Sequence, residues 1–115
     1  MLIVDDHPTF RRFARRVLEE AGFTVVGEAH DATGAIEAAR RLQPAVVLLD
    51  IVLPDRSGLD VAEALARSPG APTIILTSSR SAHDFGLALG EAPVQGFIPK
   101  AGLTGASFAA AVKPT

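Results

Sequence analysis

The stretch AVVLLDIVLPDRSGLD, residues 45–60, decides the fold. Residues 45–49 are apolar without a break, the pattern of a short strand covered on both faces rather than one that alternates between core and water. The run ends on a single carboxylate, Asp50. A helix begins after Ser57 and turns Val61, Ala62, Leu65 and Ala66 inward. A doubly covered strand that feeds a helix is one repeat of a parallel α/β sheet, closed by a right-handed crossover.

The same unit recurs on both sides of this stretch. Further apolar runs lie at 2–4, 24–26, 73–76 and 96–98, each short and most of them rich in β-branched residues. No two-residue hairpin signal separates any pair. After the first run, Phe10, Phe13, Ala14, Val17, Leu18 and Ala21 recur at helical spacing, with Pro8 suited to the first turn and Gly22 to the position past the end. A second helix is expected over Ala32–Leu42, capped by Asp31 and stopped before Pro44. A fourth is expected over 81–89 despite Gly86, and a short, charge-poor fifth over 104–112, halted near Pro114. Five alternating units predict a doubly wound, flavodoxin-like α/β fold with a five-stranded parallel sheet in the order 2-1-3-4-5.

Composition agrees with one such domain across residues 1–115. Hydrophobic residues make up 48% of 115, too many for a disordered chain. The absence of Cys excludes disulfides, thiol catalysis and thiolate metal sites, and fits a cytoplasmic protein. A net charge of −2 and aromatics limited to Phe argue against direct nucleic-acid binding. No apolar run is long enough for a membrane span, and the start MLIVDDH does not read as a signal peptide.

Ligands of open α/β sheets sit beyond the carboxyl ends of the strands. Asp5 and Asp6 follow the first strand, Asp50 the third, Thr77, Ser78 and Ser79 the fourth, and Lys100 the fifth. With strands one and three adjacent, three carboxylates converge. Two charges ~4 Å apart interact by about 4 kcal/mol at an effective dielectric near 20, so such a cluster calls for a cation. A few carboxylates with water and phosphate oxygens describe Mg²⁺. His7, His30 and His83 read as structural or surface residues. The set suits phosphoryl transfer to a carboxylate, with Lys and a hydroxyl against the phosphoryl oxygens. Neither GxxxxGK[ST] nor GxGxxG occurs, and no GxSxG marks a nucleophilic Ser.

The segments LIVDDHP (2–8), VVLLDIVLPDRSGLD (46–60), IILTSS (74–79) and GFIPKAG (96–102) together resemble the CheY-like receiver domains of two-component response regulators. VDDHP and FIPK are especially similar to the NarL/FixJ-type subgroup. The resemblance implies a phosphoacceptor at Asp50, with Mg²⁺ (or Mn²⁺) held by Asp5, Asp6, Asp50 and the Val52 backbone carbonyl. It implies Thr77 and Lys100 as phosphoryl-binding residues and Phe97 as the switch aromatic. Pro54 and Gly58 match the turn after the phosphoacceptor. Val52 and Ser79 fall where the family tunes dephosphorylation. The implied phosphodonor is a histidine kinase or phosphotransfer protein, met by the first helix, where Arg11, Arg12, Arg15 and Arg16 form a basic stripe. Two of these arginines are also set for ordinary i,i+4 pairs with Glu19 and Glu20. Output through a phosphorylation-dependent homodimer, or from the N-terminal part of a DNA-binding transcriptional regulator, is consistent with the subgroup. The short last helix departs from the family pattern and bears on output.

Two other functions compete. A haloacid-dehalogenase-type phosphatase would carry its nucleophile on the first strand as DxD, whereas Asp5 and Asp6 are adjacent and no length remains for a cap domain. A degenerate receiver would dock a partner without phosphorylation, whereas every implied site position is filled. The reading is therefore of a phosphoacceptor switch, not an enzyme with its own substrate turnover.

Overall fold

The computed structural model describes residues 1–80, 85–86 and 90–113. The chain forms β1 (Leu2–Val4), α1 (Pro8–Glu20), β2 (Gly27–Ala29), α2 (Ala32–Leu42), β3 (Val46–Asp50), α3 (Gly58–Ala66), β4 (Thr73–Ser78), β5 (Gly96–Pro99), a 3₁₀ turn (Lys100–Gly102) and α4 (Gly105–Val112). The helix expected over 81–89 falls mostly outside the described residues, as does His83. All strand pairs are parallel and the order is β2-β1-β3-β4-β5, as the alternation of units predicts. Among the described residues, no helix is long and apolar enough to cross a membrane.

One expectation needs correction. The second strand is not 24–26 but Gly27–Ala29. The ladder with β1 begins at Leu2 opposite Gly27, and the Val26 N–H instead donates to the Met1 carbonyl. The β-branched run is thus a lead-in in which Val25 alone is buried. The strand itself lies at the sheet edge, where one flank is open and an acidic residue such as Glu28 is tolerated.

Side-chain alternation along the strands builds two cores. Leu2, Val4, Val47, Leu49, Ile74 and Leu76 point to one face, under the alanines of α2 and Val61, Ala62 and Leu65 of α3. Ile3, Leu48, Ile75 and Ile98 point to the other, under Ala14 and Leu18 of α1 and Phe108 of α4. Phe108 is fully buried and meets Phe23 edge-on at 5.0 Å. The central strands are apolar on both faces because both faces are roofed by helices. The edge that remains open for polar chemistry is the one where these strands end.

Thr104 starts α4 with a reciprocal cap: its hydroxyl accepts from the Ser107 N–H, and its own N–H donates to Ser107 Oγ, both at 2.9 Å. This cap helps a helix of only 8 residues hold its first turn. The helix is short, as its sequence suggests.

Candidate functional site

Each strand-end residue singled out in the sequence lies where its strand delivers it. β1 carries its chain directly into Asp5, which is completely buried. β3 ends in Asp50, only 3% exposed. Thr77 stands opposite Asp50 in the β3–β4 register and is also completely buried. Lys100 opens the 3₁₀ turn after β5 and reaches back across the sheet edge. Its Nζ lies 2.6 Å from Asp5 Oδ2 and 3.3 Å from Asp50 Oδ2. Asp5, Asp6 and Asp50, with His7, each offer a ligand atom within 4.8 Å of the others. The acidic convergence expected from the sequence is therefore present.

The loop after β3 is folded against Asp50. The Val52 N–H donates to Asp50 Oδ1 at 3.1 Å, and Val52 bridges back to Ser57. Gly58 lets the loop close. Its N–H donates to the Ile51 carbonyl at 2.6 Å, and a Cβ on Gly58 would stand 2.1 Å from the Asp50 carbonyl oxygen. Only a residue without a side chain fits there. A cleft of about 220 Å³ opens over the carboxylates, lined by Asp6, Asp50, Val52, Ser79, Arg80 and Lys100 among others.

Burial pushes the Asp50 carboxyl up from its usual 3.8 to about 6; the Val52 N–H pulls it down, the Asp5 carboxylate pushes it up and Lys100 pulls it down. Burial also works against the charge of Lys100, but Asp5 and Asp50 more than offset this, and its pKa is raised. At neutral pH the site thus holds an ionised Asp50 beside a protonated lysine.

The charge is incompletely compensated. Lys100 brings one positive charge to three carboxylates, meeting Asp5 Oδ2 and Asp50 Oδ2, while Asp6 Oδ1 is a buried oxygen with no hydrogen-bond donor in line among the described residues. Three carboxylates that share one ammonium, with ligand atoms within 4.8 Å of one another, fit a hard divalent cation. Thr77 Oγ1 is another buried oxygen without a hydrogen-bond partner among the described residues. A buried hydroxyl left unsatisfied costs free energy, and a group that arrives at Asp50 and accepts from it would remove that cost.

Phe97 is not part of this cluster. It lies half-buried on β5, opposite Leu76, and packs against the α2–α3 core. Three further residues belong to the site although the sequence reading did not assign them there. The Phe10 ring lies under Lys100, with Nζ 4.6 Å from its centroid. Arg11 donates from Nη1 to the Asp5 carbonyl at 2.6 Å. His7, read as structural or surface, brings Nδ1 to 3.1 Å from both Asp5 Oδ1 and Asp6 Oδ1. For His7, direct succession to the acidic pair was the available signal. For Phe10 and Arg11 it was their place on the first turn of the helix that follows.

The basic stripe on α1 is partly committed. Arg11 Nε and Arg15 Nη1 contact Glu28 on β2 at 3.0 and 2.7 Å, and Arg15 also pairs with Glu19 at 3.5 Å. Arg12 and Arg16 remain exposed.

Comparison with known proteins agrees with this fold. The family model for the response regulator receiver domain matches residues 1–110. The nitrate/nitrite response regulator NarP of Escherichia coli is 44% identical over 102 residues, which cover 87% of this chain and 47% of NarP. The probable transcriptional regulatory protein TcrX of Mycobacterium tuberculosis is 41% identical over 85 residues, covering 73% of this chain and 36% of TcrX. The chain thus spans less than half the length of these relatives. Among solved structures, the receiver domain of a NarL-type response regulator from M. tuberculosis superposes with a TM-score of 0.85 at 29% identity, covering 98% of this chain and 95% of that one.

Proposed function

Because the chain belongs to the response regulator receiver domain family, we propose that it is a single-domain-sized phosphorylation switch whose phosphoacceptor is Asp50. The receiver domain family is a phosphoacceptor switch. The observation that carries the assignment is the pairing of Lys100 with both Asp5 and Asp50, beside the Thr77 hydroxyl, which has no hydrogen-bond partner among the described residues.

An Asp50 carboxylate oxygen attacks phosphorus on a phosphohistidine of a cytoplasmic histidine kinase or phosphotransfer protein. The P–O bond forms as the P–N bond breaks, and the electron pair leaves with the imidazole, which takes a proton from solvent. Asp5, Asp6, Asp50 and the Val52 carbonyl would hold Mg²⁺ or Mn²⁺, which when bound would offset phosphoryl charge. Lys100 stands against the phosphoryl oxygens on the other side, seated on Phe10. Thr77 donates its free hydroxyl to the arriving group and so couples Asp50 to β4. Phe97, one strand further on, carries that change to the surface of β5 and the helices beside it. The output is a protein contact: a phosphorylation-dependent homodimer, or release of a DNA-binding domain in a longer regulator of the kind seen among its relatives.

Incubation with a small phosphodonor and Mg²⁺, followed by intact-mass measurement, tests the assignment. One phosphoryl group is expected on the wild type and none on Asp50→Asn, which keeps the shape and removes the nucleophile. Equal labelling of the variant would refute Asp50. Repeated turnover of varied phosphate esters would instead favour a phosphatase.

A further inference from the structure

We propose that His7 is an additional ligand of the cation site, so that this site binds a nitrogen-accepting divalent ion such as Mn²⁺ more tightly than Mg²⁺. The inference rests on the reading of the acidic cluster as a cation site and goes beyond it by naming a residue that sets which ion is taken. His7 Nδ1 lies 3.1 Å from a carboxylate oxygen of Asp5 and 3.1 Å from one of Asp6, and falls within the same 4.8 Å cluster as Asp50. The ring is turned toward the acidic pair although its side chain is 67% exposed and could point to water.

The backbone holds it there. The His7 N–H donates to Asp5 Oδ1 at 2.8 Å, and Pro8 starts α1 immediately afterwards, so the residue sits in a short rigid link between strand and helix. The cluster is more than a set of nearby acids. Asp5 is completely buried, its carboxylate shares the single charge of Lys100 with Asp50, and Asp6 Oδ1 is a buried oxygen with no hydrogen-bond donor in line among the described residues. Toward a carboxylate, which only accepts, Nδ1 serves as the protonated nitrogen. A neutral imidazole carries one ring proton. Moving it to Nε2, on a largely exposed ring, frees the Nδ1 lone pair for an ion between the carboxylates.

The consequence follows from ligand chemistry. Mg²⁺ prefers oxygen ligands and gives up water reluctantly, so it gains little from an imidazole. Mn²⁺ and the later divalent ions gain from nitrogen, in the order of their affinities for mixed N/O sites. The carboxylates alone would distinguish these ions weakly, and His7 adds the discriminating donor.

Electron spin-echo envelope modulation of Mn²⁺ bound to the metal-free protein reads the nitrogen directly. Histidine nitrogen modulation is expected in the wild type and in His30→Gln, and is expected to vanish in His7→Gln. Titration should show Mn²⁺ affinity falling about tenfold or more in His7→Gln, while Mg²⁺ affinity changes by less than about twofold. Absence of nitrogen modulation in the wild type, its survival in His7→Gln, or equal losses for both ions would each overturn the role of His7 while leaving the cation site intact. Failure of the wild type to bind either ion would overturn the cation site as well.

Discussion

Lys100 is held from three sides, by Asp5 at 2.6 Å, Asp50 at 3.3 Å and the face of Phe10 at 4.6 Å. The two carboxylates set its charge, and the ring limits where the ammonium can go. Burial, with the Asp5 carboxylate beside it, makes Asp50 costly to ionise. In the folded, metal-free protein Asp50 keeps its proton up to about pH 6, against 3.8 as its usual value. Between those limits the folded state binds more protons than the unfolded state, so stability falls as pH rises through them. Asp50→Asn cannot ionise and escapes this loss. Its stability relative to wild type should rise by roughly 2 kcal/mol between pH 4 and pH 7, because each unit of the shift is worth 1.36 kcal/mol and part of it is already expressed at pH 4. Urea denaturation in chelator at a series of pH values measures this, and parallel profiles for the two proteins would contradict it. Saturating Mg²⁺ should flatten the difference, because the ion favours the ionised form.

At the scale of elements, two local devices set the path of the chain around Asp50. Gly58 is the first. A Cβ there would fall on the Asp50 backbone, which cannot yield as a flexible side-chain tip would. Gly58→Ala should therefore destabilise the protein by about 1–3 kcal/mol, the usual range for overpacking, and slow phosphorylation by displacing Asp50. Thermal melts and phosphodonor labelling check the two effects; an unchanged melt would mean that the β3–α3 loop moves freely. Asp55 is the second device. Its carboxylate accepts from the N–H groups of Ala32 and Thr33 at 2.8 and 3.1 Å and from Thr33 Oγ1 at 3.0 Å, while Asp31 accepts from the Gly34 N–H at 2.7 Å. Two carboxylates thus satisfy the first free donors of α2, and one of them comes from the loop next to the site. The Ala32 N–H, followed by those at Thr33, holds the Asp55 carboxyl down at about 2. The stability it brings is present above pH 3.8 and is lost as pH falls through about 2. Asp55→Asn should melt below wild type at neutral pH, and the gap should close in acid. A gap independent of pH would point to lost shape rather than lost charge.

At the scale of the whole molecule, two apolar cores and an acidic edge oppose each other. The helices on both faces bury the sheet and hold Asp5, Asp6 and Asp50 together regardless of their repulsion. The fold therefore stores electrostatic cost at one rim, which a bound cation would offset. Asp6→Ala should raise the metal-free melting temperature and lose most of the stabilisation by Mg²⁺. In the wild type that stabilisation should approach about 2.7 kcal/mol at an ion concentration 100 times its Kd. Calorimetric melts with Mg²⁺ and with chelator give both quantities. Equal Mg²⁺-induced shifts in mutant and wild type would show that Asp6 does not hold the ion.

The order of strands, their parallel direction and the rim on which the polar residues gather were determined by the sequence alone. Runs such as 45–49 are apolar throughout, which demands cover on both faces, and the intervening helices permit only crossovers. Asp5, Asp50, Thr77 and Lys100 were legible because each is the first polar residue at or just past the end of its strand. The boundary of β2 was not legible, because an edge strand needs apolar cover on only part of its surface and its register depends on where β1 begins. Nor were the roles of Phe10, Asp55 and Gly58 determined by local pattern. A cation over a ring, a carboxylate on another helix's first turn and a missing Cβ against a distant carbonyl are contacts through space. Periodicity records which face a residue turns to the core, whereas only the packed structure decides which atom it meets there.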